Sequence, residues 1–176
     1  RIALDVMGGD HAPTEIIRGA LDAVSLGGVE VLLVGDLEAV NDILPSSLPD
    51  SIRVVPSEGV ITENDHPLEA LRSKPKASII VAAGLVKNGS ADAYVTMGST
   101  GAAMAAGVVA LGNLDGIDRP ALGGPFLGLA PNTVLVDLGT SLDNRPSQLL
   151  NYGILGSVFA KVFMGIDNPS VALLSV

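Results

Sequence analysis

The sequence predicts an α/β fold with a largely parallel sheet, and three observations carry that expectation. Short β-rich runs alternate with stretches of helical period along the chain. Most of those β-rich runs are continuously apolar, as strands covered on both faces are. The composition, 48% hydrophobic but only 3% aromatic, leaves Ala, Val, Leu and Ile to fill the core. At 176 residues the chain fits one domain and needs no disulfide staples to bury enough surface.

The first run, Ile2–Val6, leads into Met7-Gly8-Gly9-Asp10-His11-Ala12-Pro13. The paired glycines there permit positive φ and close backbone approach, and Pro13 suits the first turn of a helix. Ile16, Ile17, Ala20, Leu21 and Val24 then fall on one helical face, which Gly27-Gly28 ends. Further strands are expected at Glu30–Val34, Ile52–Val55, Ala93–Met97, Thr133–Leu138 and Val171–Val176. Further helices are expected at Leu37–Leu44, Pro67–Ser73, Ala77–Asn88, Thr100–Leu111 and Pro146–Phe163. Pro120–Pro131, with three prolines and three glycines, reads as an irregular crossing. Ala93–Leu114 carries no charge and is long enough to resemble a membrane span, but Gly98-Ser99-Thr100-Gly101 interrupts it. It reads as a buried strand, a turn and a buried helix.

Composition also excludes function classes. The formal charge of −9 repels polyanions, so nucleic acid is not an expected partner. With no cysteine there is no disulfide, no thiolate zinc site and no cysteine nucleophile, which suits a cytoplasmic protein. The N-terminal residues lack the apolar core of a signal peptide. Two isolated histidines, His11 and His66, make no metal site. Neither G-x-G-x-x-G after a strand nor G-x-x-x-x-G-K-[ST] occurs, which removes the main support for dinucleotide and P-loop binding.

Three strand ends run into small or glycine-rich turns: Asp5 to His11, Met97 to Gly101, and Asp137 to Asp143. In a parallel sheet such ends share one rim, where helix N-termini present free N–H groups to an anion. Gly98-Ser99-Thr100-Gly101 opens a helix with two hydroxyls and room for close contact. The same residues equally suit a Ser/Thr cap packed tightly against a sheet. Asp10 and His11 read either as site groups or as a cap and a turn residue. Arg72-Ser73-Lys74-Pro75-Lys76 sets three positive charges in an acidic chain, either as solvated surface or as a receiver for a phosphate or an acidic partner.

The order of these motifs resembles one family, the phosphate acyltransferases of bacterial phospholipid synthesis known as PlsX. The resemblance runs collinearly over the whole chain. It is carried by Ile2 to Pro13, Leu33-Val34-Gly35-Asp36, Pro67 to Arg72, Gly89-Ser90-Ala91-Asp92-Ala93, Gly98 to Ala102, Gly116-Ile117-Asp118-Arg119-Pro120-Ala121-Leu122 and Val136 to Gly139. Two local features depart from it. Ser99 stands where the family pattern has asparagine, and Gly139-Thr140-Ser141 stands where it has Gly-Ala-Asn. Family members are also about twice this length, so residues 1–176 are expected to form a single α/β domain, the N-terminal half of a longer enzyme.

The resemblance implies a three-layer α/β/α fold like that of isocitrate and isopropylmalate dehydrogenases. It implies transfer of a fatty acyl group from acyl carrier protein to inorganic phosphate, without a cofactor or metal. The acyl phosphate formed would serve a downstream glycerol-3-phosphate acyltransferase. A homodimer, a cytoplasmic setting and peripheral membrane association are implied as well. On this reading Ser99 and Thr100, with Gly98 and Gly101, bind phosphate or stabilise an oxyanion. Gly8, Gly9, Asp10 and His11 shape the adjacent wall, His11 as a proton donor. Asp137, Gly139 and Asp143 form a third side, with Arg119 or Arg145 neutralising the acids, and Arg72, Lys74 and Lys76 dock the acidic carrier. An NAD-dependent hydroxy-acid dehydrogenase on the same fold and a noncatalytic shortened relative are the rival readings.

Overall fold

The computed structural model describes residues 1–125, 128, 130–139 and 143–174, leaving aside the side chain at 68. It divides into two compact units, Arg1–Gly112 and Asn113–Val176. The first unit alternates strand and helix: β1 Ile2–Asp5, α1 Thr14–Ser25, β2 Val31–Gly35, α2 Leu37–Asn41, β3 Ile52–Pro56, α3 Pro67–Ser73, α4 Ser78–Lys87, β4 Ala93–Thr96 and α5 Thr100–Leu111. Its four strands form one parallel sheet in the order β3-β2-β1-β4. In that register Asp5 at the end of β1 lies beside Thr96 at the end of β4.

Both faces of this sheet are covered, which makes three layers. On one side Ile17 and Ala20 of α1 and Val40 of α2 pack with Val6, Val31, Leu33 and Ile52. On the other, Ala82 of α4 packs with Ala3, Val34 and Ala91. Leu33 and Val34, adjacent on β2, therefore serve opposite layers, and this two-sided burial is why the strand reads as an unbroken apolar run. Each fully buried aliphatic of this kind contributes about 1.5–3 kcal/mol. A further cluster built largely of alanine, Ala70, Ala77, Ala83, Ala102 and Ala106 with Ile61 and Ile79, joins α3, α4 and α5.

The second unit contains β5 Gly123–Gly124, β6 Leu135–Val136 and α6 Pro146–Met164. Here two expectations are corrected. Of the strand expected at Thr133–Leu138 only Leu135–Val136 forms, and it pairs antiparallel with β5 instead of joining the parallel sheet. Residues 171–174 of the strand expected at Val171–Val176 form no ladder, and Leu174 is 91% exposed. Residues 175 and 176 lie outside the described residues. Both segments have strand-like composition, but a strand also needs a neighbour to take its N–H and C=O groups, and among the described residues of the second unit only the two of β5 supply one. No described helix is long and apolar enough to cross a membrane, and Ala93–Leu114 is a strand, a turn and a helix as expected.

Candidate functional site

At the carboxyl ends of β1 and β4 a buried carboxylate organises two turns. Asp5, 2% exposed, accepts hydrogen bonds at Oδ1 from the N–H groups of Met7 (3.1 Å) and Gly8 (3.2 Å). Its Oδ2 accepts from the Thr96 hydroxyl at 2.8 Å, and Thr96 Oγ1 in turn accepts from the N–H of Gly98 at 3.0 Å. One carboxylate thus fixes the turn after β1 directly and the turn after β4 through a single hydroxyl. The glycines follow from this closeness. A Cβ on Gly8 would stand 2.8 Å from both Asp5 Oδ2 and Thr96 Oγ1 and 3.0 Å from Gly98 Cα. A Cβ on Gly98 would stand 3.0 Å from Gly8 Cα. Gly9 adopts φ +111° over Met97, a conformation that L side chains rarely take.

Beyond Gly98 the chain enters α5. Ser99 is the N-cap: its Oγ accepts from the N–H of Ala102 at 3.3 Å. In an α-helix the first N–H groups have no i−4 partner, which leaves those of Thr100 and Gly101 free for an acceptor from outside. The first turn of α5 carries no acidic residue, so its positive dipole end is not offset within the helix. A Cβ on Gly101 would meet Pro67 Cγ at 3.0 Å, which places the start of α3 beside the start of α5. His66 precedes that proline as the α3 N-cap and is exposed. Asp10 and His11 are exposed in the turn between β1 and α1.

The basic run after α3 divides into three different environments. Lys74 Nζ donates to both oxygens of Asp65 at 2.8 Å and to the carbonyl of Val60 at 3.1 Å. Asp65 also accepts from the N–H and the hydroxyl of Thr62. Lys74 is therefore a clamp on the loop that precedes α3. Lys76 makes an exposed pair with Glu58 at 2.8 Å, and Arg72 is exposed in the last turn of α3 with no ion pair among the described residues. The Lys74 ammonium, followed by the two Thr62 donors, holds the Asp65 carboxyl down at about 2. A carboxyl depressed below its unfolded value, about 3.9, stabilises the fold above that value, and the contribution is lost as pH falls through about 2. Carboxyl-carbon NMR should accordingly show Asp65 titrating near 2, and Lys74→Met should move its midpoint up toward the ordinary range. An unchanged midpoint in Lys74→Met would remove the clamp from the explanation.

In the second unit, a cavity of about 660 Å³ at the start of α6 is lined by Asp118, Arg119, Asp143, Asn144, Arg145 and Gln148. Arg145 is the N-cap, and its N–H donates to Gln148 Oε1 at 2.8 Å. Asn144 Nδ2 donates to Asp137 Oδ2 at 2.8 Å, while the Asp137 N–H donates to the carbonyl of Leu122. Asp137 thus braces the turn after β6, with φ at 68°, and Gly139 follows at φ 84°. Thr140, Ser141 and Leu142 lie outside the described residues.

The expected residues are therefore gathered in two places, and the basic run of Arg72, Lys74 and Lys76 belongs to neither. Gly8, Gly9, Gly98, Ser99, Thr100 and Gly101 belong to the two turns at the β1/β4 rim. Arg119, Asp143 and Arg145 line the second-unit cavity, with Asp137 in a bracing role. The third turn follows β6, which bonds β5 and is not a strand of the parallel sheet. Sequence reading missed Asp5 and Thr96 as a pair, and Asn144 and Gln148 altogether. For the first pair the available signal was a carboxylate ending one apolar run and a hydroxyl ending another. Among the described residues no group of three His, Asp or Glu is placed to hold a metal ion.

Comparison with known proteins gives a consistent result. The family described as "Fatty acid synthesis protein" matches residues 1–176. A phosphate acyltransferase of Desulfitobacterium hafniense is 45% identical over 177 residues, which cover 100% of this chain and 53% of that protein. One from Acaryochloris marina is 48% identical over 181 residues, covering 52% of its own length, and one from Brevibacillus brevis is 40% identical over 182 residues, covering 53%. The chain spans about half the length of these curated relatives. With the family matched from Arg1 to Val176 and every part of the chain aligned to phosphate acyltransferases, the chain belongs to the fatty acid synthesis protein family, PlsX.

Proposed function

We propose that this chain serves acyl transfer from acyl carrier protein to inorganic phosphate, yielding acyl phosphate. The observation that carries the reading is the alignment of all 176 residues with phosphate acyltransferases. The geometry supports it. In the reaction a phosphate oxygen attacks the thioester carbonyl, the C–O bond forms, the C–S bond breaks, and the carrier leaves as a thiolate. Because thiol pKa values lie near ~8.5, that leaving group needs little protonation. No enzyme nucleophile is required, so the protein's part is placement and electrostatics. The free N–H groups of Thr100 and Gly101, with the Thr100 hydroxyl, are suited to phosphate or to the developing oxyanion. Gly8, Gly9 and Gly98 let the two turns close beneath them, and Ser99 fixes the helix start. His11, with Asp10 beside it, is the candidate proton donor. Arg119 and Asp143, beside the turn of Asp137 and Gly139, are the second group proposed for phosphate.

On this reading the partners are acyl carrier protein, phosphate, a second copy of the chain and the downstream glycerol-3-phosphate acyltransferase, at the cytoplasmic face of the membrane. Arg72 and Lys76 carry the docking of the acidic carrier. The Lys74 ammonium is already engaged by Asp65 and Val60.

The test is formation of hydroxylamine-trappable acyl phosphate from acyl–acyl carrier protein and labelled phosphate, with the same rate in EDTA. Loss of turnover in EDTA that added metal restores would overturn the metal-free reading. In the same assay Arg72→Glu combined with Lys76→Glu should raise KM for the carrier at low salt and leave kcat in place. An unchanged KM would dismiss the docking role.

A further inference from the structure

The cavity at the start of α6 is lined by charges of both signs that do not use one another. Arg119 and Arg145 line it beside Asp118 and Asp143, yet none of the four makes an ion pair within 4.0 Å among the described residues. Gln148 adds a further donor. The residue is 8% exposed, its Oε1 is committed to the Arg145 N–H, and its Nε2 has no acceptor among the described residues. The lining thus offers planar guanidinium donors and an amide donor to an oxyanion, and alongside them carboxylates that can only accept.

A bare dianion is poorly served by such a site, since each carboxylate repels it. An oxyanion that retains an acidic proton is served well: its unprotonated oxygens take the guanidinium and amide donors, and its P–OH donates to a carboxylate. Near neutral pH inorganic phosphate always keeps at least one P–OH, whereas sulfate keeps none. Phosphate monoesters lose their last proton with a second pKa of about 6. We propose that Asp118 and Asp143 make this cavity selective for free hydrogen phosphate, with Arg119, Arg145 and Gln148 supplying the attraction and the carboxylates the discrimination. The proposal rests on the reading that inorganic phosphate is a substrate. It gives that substrate a selecting site whose lining lies wholly within the second unit.

The experiment is isothermal titration calorimetry of the purified protein with inorganic phosphate, sulfate and methyl phosphate at pH 8, without acyl donor. Phosphate should bind about 10- to 100-fold more tightly than either of the others, the range for one hydrogen bond to a charged group. Arg119→Gln with Arg145→Gln should weaken all three anions alike. Asp118→Asn with Asp143→Asn should bring phosphate and sulfate to within about threefold of each other, with circular dichroism and Tm confirming an intact fold. Equal binding of phosphate and sulfate by the wild-type protein, absence of phosphate binding, or a preference that survives the double Asp variant would each overturn the proposal. Because no turnover is measured, a protein that failed to transfer acyl groups would still show the phosphate preference.

Discussion

Replacing Gly8 by alanine should destabilise the first unit by about 3 kcal/mol, the upper end of what overpacking a well-filled site costs. The added methyl would stand 2.8 Å from Asp5 Oδ2, 2.8 Å from Thr96 Oγ1 and 3.0 Å from Gly98 Cα. None of these is the free end of a flexible side chain. Asp5 is fixed by three donors, Thr96 is held between Asp5 and the Gly98 N–H, and Gly98 Cα is backbone. Relief therefore requires the two turns to part, and parting breaks the hydrogen bonds of a carboxylate that is 2% exposed. The urea midpoint should fall with the m-value unchanged. Gly19→Ala is the matched control. In the interior of α1, with nothing within 4 Å of its added Cβ, it should stabilise by about 0.4–1 kcal/mol through the unfolded chain. Equal midpoints for Gly8→Ala and the wild type would show that the corner yields easily and that Asp5 is not its keystone.

That corner also shows where sequence reading stops. The sequence marks Gly8, Gly9 and Gly98 as positions that need close approach, and they are such positions. What they approach is each other, through a register that sets Asp5 beside Thr96, 91 residues away. No local pattern contains that pairing. The four parallel strands and helices α3 and α5 were legible because two-sided burial writes a continuous apolar run and a helix start writes a capping serine or an early proline. The ladder of Gly123–Gly124 with Leu135–Val136 was not, because two glycines carry no strand signature and the pairing depends on what else the unit offers. Likewise Arg72, Lys74 and Lys76 read as one basic run. Their roles separate only once Asp65 and Glu58 are brought beside two of them. The mixed charges around α6 follow the same rule. Arg119, Asp143 and Arg145 are expected at a site through the family resemblance, but Asp118, Asn144 and Gln148 look like ordinary loop and helix residues until the second unit sets all six around one cavity.

Gly101→Val should lower turnover by about 10²–10³, the usual cost of losing a donor aimed at developing or substrate charge. Ser99 Oγ already takes the N–H of Ala102, so the free donors of the α5 start are those of Thr100 and Gly101. A valine at 101 brings a branched side chain onto the residue that carries one of them, and its Cβ begins 3.0 Å from Pro67 Cγ. Two consequences can then be separated. Pressing on α3 costs stability, while crowding and tilting the first turn of α5 costs anion binding. Ser99→Ala provides a graded comparison: it removes an N-cap acceptor, worth about 1 kcal/mol of stability, and leaves the free backbone donors in place, so its effect on turnover should be the smaller. Combining Gly101→Val with Pro67→Ala removes the ring carbon that the new Cβ meets. The double variant should regain its Tm and remain slow, with KM for phosphate still raised. Recovery of both Tm and turnover would mean that Gly101 is small only to admit Pro67, and that the anion is held elsewhere.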